Sequence, residues 1–266
     1  GIFRPNNIVM KIKDFKGKKI TVMGLGLHGG GLGAARFFVQ AGAKVLVTDL
    51  RKKEELAESL KKLKGLPIKY ILGQHRPEDF ISTNLVIKNP AVPNNSQYLE
   101  IALKHQVPVE TDVGIFFELC SALIIGVTGT RGKSTTATLI AEFLKQKYKV
   151  ALAGNIRQSV LLELPKINKE TLVVLELSSW QLEGLVRHKK SPAMAVITNI
   201  MPDHLNRYKT MEEYIEAITL YNFLTKSNKK APEFVEVGEE EIIAGTCDFT
   251  GELLRRAITI ASVENF

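Results

Sequence analysis

Ile124-Ile-Gly-Val-Thr-Gly-Thr-Arg-Gly-Lys-Ser-Thr-Thr136 is the stretch on which the reading of this chain turns. The apolar residues 123–125 lead into a loop containing Gly126, Gly129 and Gly132, and Gly132-Lys133-Ser134 heads an apolar-periodic segment over 136–144. That order predicts a strand, a phosphate loop and a helix. Glycines let backbone N–H groups close around a phosphate chain, and a helix N-terminus adds positive potential. Lys133 is placed to reach the outer phosphates and the Ser134 hydroxyl to hold Mg²⁺. Five residues separate Gly126 from Gly132, where a strict Walker A has four. The flanking strand and helix favour an ATP site over a structural glycine turn.

Downstream, 150–153 reads as a strand ending in Gly154-Asn155. Leu172-Val-Val-Leu-Glu-Leu-Ser-Ser-Trp-Gln181 reads as a buried strand carrying Glu176 near its end. A continuous apolar run suits a parallel strand covered on both faces. A carboxylate there is placed to bind Mg²⁺ directly or through water; the plain alternative is an exposed strand-end glutamate. A strand over 193–198 delivers Asn199 and then Met201-Pro-Asp-His-Leu-Asn-Arg-Tyr208, where Asp203, His204 and Arg207 offer metal ligands and a phosphate-binding guanidinium.

Upstream, residues 1–18 read as a polar lead-in, 19–23 as a strand, 24–33 as a glycine-rich loop, 34–40 as a helix and 44–48 as a second strand ending in Asp49. This is the opening βαβ of a Rossmann-like sheet, with an acidic residue where a ribose or base would be met. The surplus of glycines allows several registers, so NAD and another nucleotide stay open. Strands follow at 68–72 and 84–88. Asn89-Pro-Ala-Val-Pro93 is then either a ligand-facing turn or a plain proline turn. Residues 107–122, with a short helix around 116–119, lead out of the first domain.

At 266 residues the chain has room for two domains, and its 45% hydrophobic and 24% charged content is that of a globular protein. Two cysteines, Cys120 and Cys247, lie far apart and suggest neither a disulfide framework nor a metal motif, which favours a reducing cytoplasm. No apolar run reaches membrane-span length and no signal-peptide pattern opens the chain, so no membrane association is expected. The net charge of +8 suits anionic ligands, although lysines scattered over 52–64 read as a solvated helical face.

The phosphate loop, the run Leu175-Glu-Leu-Ser-Ser-Trp-Gln-Leu182 and the run Thr198-Asn-Ile-Met-Pro-Asp-His-Leu-Asn-Arg-Tyr208 resemble the Mur ligases, above all their D-glutamate-adding branch, over about residues 15–210. The resemblance implies that the first domain binds the UDP end of UDP-N-acetylmuramoyl-L-alanine, in place of NAD. Gly26, Leu27, His28, Asp49, Arg51 and Asn89 then serve that substrate, with Asn155, Ser178 and Gln181. By the same carry-over Gly129, Thr130, Arg131, Gly132, Lys133, Ser134, Thr135, Asn199, Asp203 and Arg207 hold ATP. Lys133, Glu176 and His204 are the catalytic set, and Ser134, Glu176 and His204 ligate Mg²⁺. The implied reaction, in peptidoglycan synthesis, turns the substrate carboxylate into an acyl phosphate that the amine of D-glutamate attacks. Anionic oxygens crowd together in each step, which explains the need for Lys133 and metal ions.

The sequence departs from that pattern at His28, Ala91 and Arg157. More serious is Ile218, where the family has a lysine that becomes carbamylated. With no room for a third domain to hold D-glutamate, an impaired or inactive ligase is expected. Residues 211–266 instead resemble translin and translin-associated factor X, all-helical proteins of single-stranded nucleic acid, whose acidic metal site would fall on Glu213, Glu216 and Asp248. The expected architecture is therefore α/β. It comprises a Rossmann-like domain over 1–120, a truncated P-loop-type ATP-binding domain over 121–210 and a helical tail over 211–266. A nuclease or nucleic-acid-binding role through that tail and a non-catalytic nucleotide-binding role are the alternatives.

Overall fold

A computed structural model describes residues 11–26, 29–154, 159–185 and 191–199. They form two compact units: 11–120 with 159–165, and 121–154 with 166–185 and 191–199.

The first unit is built on a parallel sheet of β1 (Lys19–Met23), β2 (Lys44–Asp49), β3 (Ile68–Leu72), β4 (Leu85–Lys88) and β5 (Val109–Glu110), in the order β3-β2-β1-β4-β5. The order reverses at β1, between β2 and β4. In open α/β sheets that reversal opens a crevice at the strands' carboxyl ends. The strands form because Ile20, Val22, Val45, Val47, Leu85 and Ile87 are almost wholly buried, each such side chain stabilising the fold by about 1.5–3 kcal/mol.

Helix α1 (Gly30–Gln40) begins four residues before the predicted start at 34. Glycine is a poor helix former, so 30–33 read as loop. Packing overrides propensity there. A Cβ at Gly31 would run into the carbonyl of Gly24, and one at Gly33 into the Ser159 side chain. The predicted lead-in also has structure: Ile12–Phe15 forms a 3-10 turn that seats the fully buried Phe15 edge-on to Phe38, with ring centroids 5.0 Å apart. The unit is completed by α2 (Ala57–Lys62), α3 (Glu78–Ile81), α4 (Gln97–Lys104) and α5 (Asp112–Leu119). Thr111 caps α5 by accepting the Gly114 N–H at 3.0 Å, so that helix starts earlier than predicted.

The second unit holds β6 (Leu123–Thr128), α6 (Lys133–Lys145), β7 (Val150–Gly154), β8 (Leu172–Glu176), α7 (Ser179–Leu185) and β9 (Met194–Ile197). Its strands are parallel in the order β7-β8-β6-β9. Every residue of β6 and β8 is buried. Leu123, Ile125, Val127, Val174 and Val196 pack with Ala137, Ile140, Ala141 and Leu144 of α6 into one core. The strand predicted over 172–181 stops at Glu176. Ser178 Oγ accepts the Gln181 N–H at 3.3 Å while Gln181 Oε1 accepts the Ser178 N–H at 3.0 Å, a reciprocal capping box that turns the chain into α7. Among the described residues no helix is long and apolar enough to cross a membrane.

Candidate functional site

Each unit presents a glycine bend after its first strand, at a point where its sheet reverses order. In the second unit β6 feeds the bend and α6 receives it. Gly129 (φ +133°) and Gly132 (φ +77°) occupy the left-handed region, which only glycine adopts without cost. A Cβ on Gly129 would strike the Thr198 side chain, so the bend lies directly against the chain leaving β9. The Asn199 carbonyl accepts the Thr130 N–H at 2.9 Å and its Oδ1 the Arg131 N–H at 2.9 Å. The Arg131 carbonyl accepts from Thr198 Oγ1 at 2.5 Å and Asn199 Nδ2 at 3.1 Å. The bend is thereby pre-shaped by a neighbouring strand end. Lys133 Nζ curls back to donate to the carbonyls of Gly129 (2.7 Å) and Thr130 (2.9 Å). Ser134 and Thr135 lie exposed on the first turn of α6.

A strand paired with β6 ends in Glu176. It is the last residue of β8, in register with Val127 of β6 and Gly154 of β7, and only 2% exposed. Gly154 (φ +110°) presses on it so closely that a Cβ would collide with the Glu176 backbone. Glu176 Oε2 and Thr128 Oγ1 are buried with no hydrogen-bond partner. A buried carboxylate oxygen without a donor costs several kcal/mol by general experience, and a hard cation is a fitting partner. Among the described residues no three His, Cys, Asp or Glu gather into a metal cluster. A single carboxylate suits Mg²⁺, which keeps most of its waters and is often held by only one or two protein carboxylates. Thr128 and Thr198 were not singled out from sequence, although both stand inside the motifs quoted above.

In the first unit the bend after β1 passes through Gly24 (φ +87°) and Gly26 (φ +67°). Asp49 closes β2 beside it. One oxygen accepts the Gly26 N–H at 3.2 Å and the other the Arg51 N–H at 2.9 Å, with the Arg51 guanidinium 3.9 Å away. Asn89 Nδ2 donates to the Gly24 carbonyl at 3.3 Å, and Ser59 Oγ, unremarked in the sequence, to that of Gly26 at 2.9 Å. Gly26, Asp49, Arg51 and Asn89 are therefore brought together. Behind them, His75 Nδ1 lies 2.7 Å from Thr48 Oγ1. Burial pulls the His75 pKa below its ordinary value, with the charges of Asp49 and Asp79 opposing.

Ser178 and Gln181, predicted as substrate contacts, belong to the second unit and bond to each other as the α7 cap. Leu27, His28, Asn155, Arg157, Asp203, His204, Arg207, Glu213, Glu216, Ile218 and Asp248 lie outside the described residues.

Residues 18–111 match the Mur ligase MurD-like N-terminal domain, and 127–236 the Mur ligase middle domain. These are Mur ligase domains. The middle-domain match takes in Glu213 and Glu216, and the junction predicted at 211 falls inside it. The UDP-N-acetylmuramoylalanine-D-glutamate ligase of Roseiflexus sp. (strain RS-1) is 52% identical over 202 residues, covering 76% of this chain and 43% of the relative. That of Borreliella afzelii (strain PKo) is 41% identical over 209 residues, covering 77% and 45%. The chain thus spans under half the length of these relatives. The crystal structure of UDP-N-acetylmuramate:L-alanyl-gamma-D-glutamyl-meso-diaminopimelate ligase from Neisseria meningitides, 17% identical, overlays with a TM-score of 0.55 over 87% of this chain and 75% of that one. At that identity the likeness supports the fold alone.

Proposed function

We propose that these two Mur ligase domains hold the nucleotide ends of an ATP-dependent ligation in which D-glutamate is joined to UDP-N-acetylmuramoyl-L-alanine in the cytoplasm. The bend at Gly24 and Gly26 takes the UDP end, and the bend at Gly129 to Lys133 takes ATP with Mg²⁺. The observation that supports this reading is the pre-shaped phosphate bend after β6 together with a buried carboxylate bearing an unpartnered oxygen at the end of the paired strand β8. The names of the relatives supply the substrates.

Within that reading each residue has a physical task. The backbone N–H groups at the start of α6 face the phosphate chain with the helix dipole behind them. Lys133 exchanges the carbonyls of Gly129 and Thr130 for phosphate oxygens, trading two neutral acceptors for charged ones. Ser134 and Glu176, with His204 from beyond the described residues, would hold Mg²⁺. When bound, the ion neutralises charge on the phosphate oxygens. Asp49 fixes the bend that receives the uridine nucleotide, and Asn89 buttresses it.

The test is calorimetric titration of the chain with ATP plus Mg²⁺ and, separately, with UDP. Two independent sites are expected. Lys133→Ala strongly weakens the first and spares the second, and Asp49→Ala does the reverse. Failure of the unaltered chain to bind either nucleotide would refute the proposal.

A further inference from the structure

The last residue of β4 is a lysine, in a place where the other strands of the first unit end in Met23, Asp49, Leu72 or Glu110. Lys88 pairs with Met23 in the parallel ladder and is only 6% exposed. A buried ammonium is costly unless its donors are used. Here Nζ donates to the Val92 carbonyl at 3.0 Å, a charge-assisted bond across the 89–92 turn.

That turn is tied at several points. Asn89 O accepts the Val92 N–H at 2.9 Å, Asn89 Oδ1 accepts the Ala91 N–H at 3.0 Å, and the Asn89 N–H is held by Met23 O at 2.9 Å. Pro90 and Pro93 restrict the backbone further. The turn leans on the glycine bend through both ends. A Cβ on Gly24 would sit 3.0 Å from Asn89 Cβ and 3.3 Å from Val92 Cγ2, and one on Gly26 3.1 Å from Asn89 Nδ2. The shape of the bend therefore depends on where Asn89 and Val92 stand, and the Val92 carbonyl is fixed by Lys88.

We infer that Lys88 is a positioning residue for the nucleotide-receiving bend of the first unit: its buried ammonium holds the 89–92 turn, and through it Asn89, against Gly24 and Gly26. It touches no ligand itself. Methionine has nearly the same length and volume and lacks the donor, so it removes the tether and keeps the packing.

The inference rests on the proposed reading of this bend as a UDP site. Its test measures UDP and ATP affinity on the full chain, with ATP as an internal standard, and thermal melting beside them. Lys88→Met is expected to weaken UDP about tenfold and to leave ATP within about twofold. Val86→Ala, a buried change on the same strand away from the turn, lowers stability and leaves UDP affinity within about twofold. Asn89→Ala costs far less UDP affinity in the Lys88→Met background than alone, because both act through one turn. Lys88→Gln, neutral and shorter in reach, gives an intermediate loss and stands in should the methionine variant not fold. Unchanged UDP affinity in both Lys88 variants, an equal loss in Val86→Ala, or additive losses with Asn89→Ala would each overturn the inference. Absence of UDP binding by the unaltered chain would instead bring down the reading beneath it, and the inference with it.

Discussion

The two glycine bends share one plan and differ in what they leave undone. After β1, the bend is tied inwards: Asp49 accepts N–H groups from Gly26 and Arg51, while Asn89 and Ser59 occupy the carbonyls of Gly24 and Gly26. After β6, the bend is tied just as well to Thr198 and Asn199, but Glu176 Oε2 at the end of β8 and Thr128 Oγ1 at the end of β6 are buried with no partner. The first is a surface finished in shape before any ligand arrives. The second leaves buried oxygens unpartnered, and the proposed Mg²⁺ would meet one of them at Glu176. The contrast matches the chemistry proposed for each: recognition of a nucleotide handle in one, handling of a reacting phosphate in the other.

The largest effects should come from the backbone contacts that both bends need. Gly31→Ala drives a Cβ into the Gly24 carbonyl, and Gly154→Ala drives one into the Glu176 backbone. Each is expected to cost more than ~4 kcal/mol, enough to unfold its own unit in a denaturant titration. Gly65→Ala is the control: its φ is also positive (+85°), yet nothing lies within 4 Å, so only about 1–2 kcal/mol should be lost. Equal losses at all three sites would remove the packing argument.

Next in size, Lys133→Ala should weaken ATP by about a hundredfold, roughly 2.7 kcal/mol, and leave UDP unchanged in parallel titrations. Glu176→Ala sharpens the contrast further. The unaltered chain should bind ATP about tenfold more tightly with Mg²⁺ than without, and the variant should lose most of that difference. Magnesium dependence preserved in Glu176→Ala would mean the unpartnered oxygen has another purpose.

The smallest effect concerns pH. Because burial lowers the His75 pKa in the folded state, the unfolded chain takes up a proton first as pH falls. The contribution is therefore full above the ordinary value of 6.5 and declines as pH drops through it towards the folded value. Stability of the first unit should fall as pH drops below 6.5, and His75→Phe should flatten that slope in thermal melts run across the range.

Much of this was legible in the sequence, for identifiable reasons. The strands at Lys19–Met23, Leu85–Lys88 and Leu172–Glu176 announce themselves as largely apolar runs, since parallel strands are covered on both faces. Glu176 could be singled out because it stands at the end of such a run. The start of α1 was hidden because glycines chosen for close packing carry the local signature of a loop. The capping box of Ser178 and Gln181 was legible as a pattern, but the apolar run around it read as more strand. Lys88 was invisible in its role, since no local pattern says that a lysine will be buried beneath a turn four residues on. The same holds for Thr128 and Thr198, whose importance lies in contacts across strands that are distant in sequence.

The central claim is that the bend after β6 grips a triphosphate over a metal-seeking carboxylate. Calorimetric titration of the unaltered chain with ATP, with and without Mg²⁺, and of Lys133→Ala alongside, tests it most directly. The account predicts saturable ATP binding that Mg²⁺ strengthens and that the substitution weakens about a hundredfold while the fold melts as before. Equal ATP affinity in both proteins, or none in the unaltered chain, would contradict it.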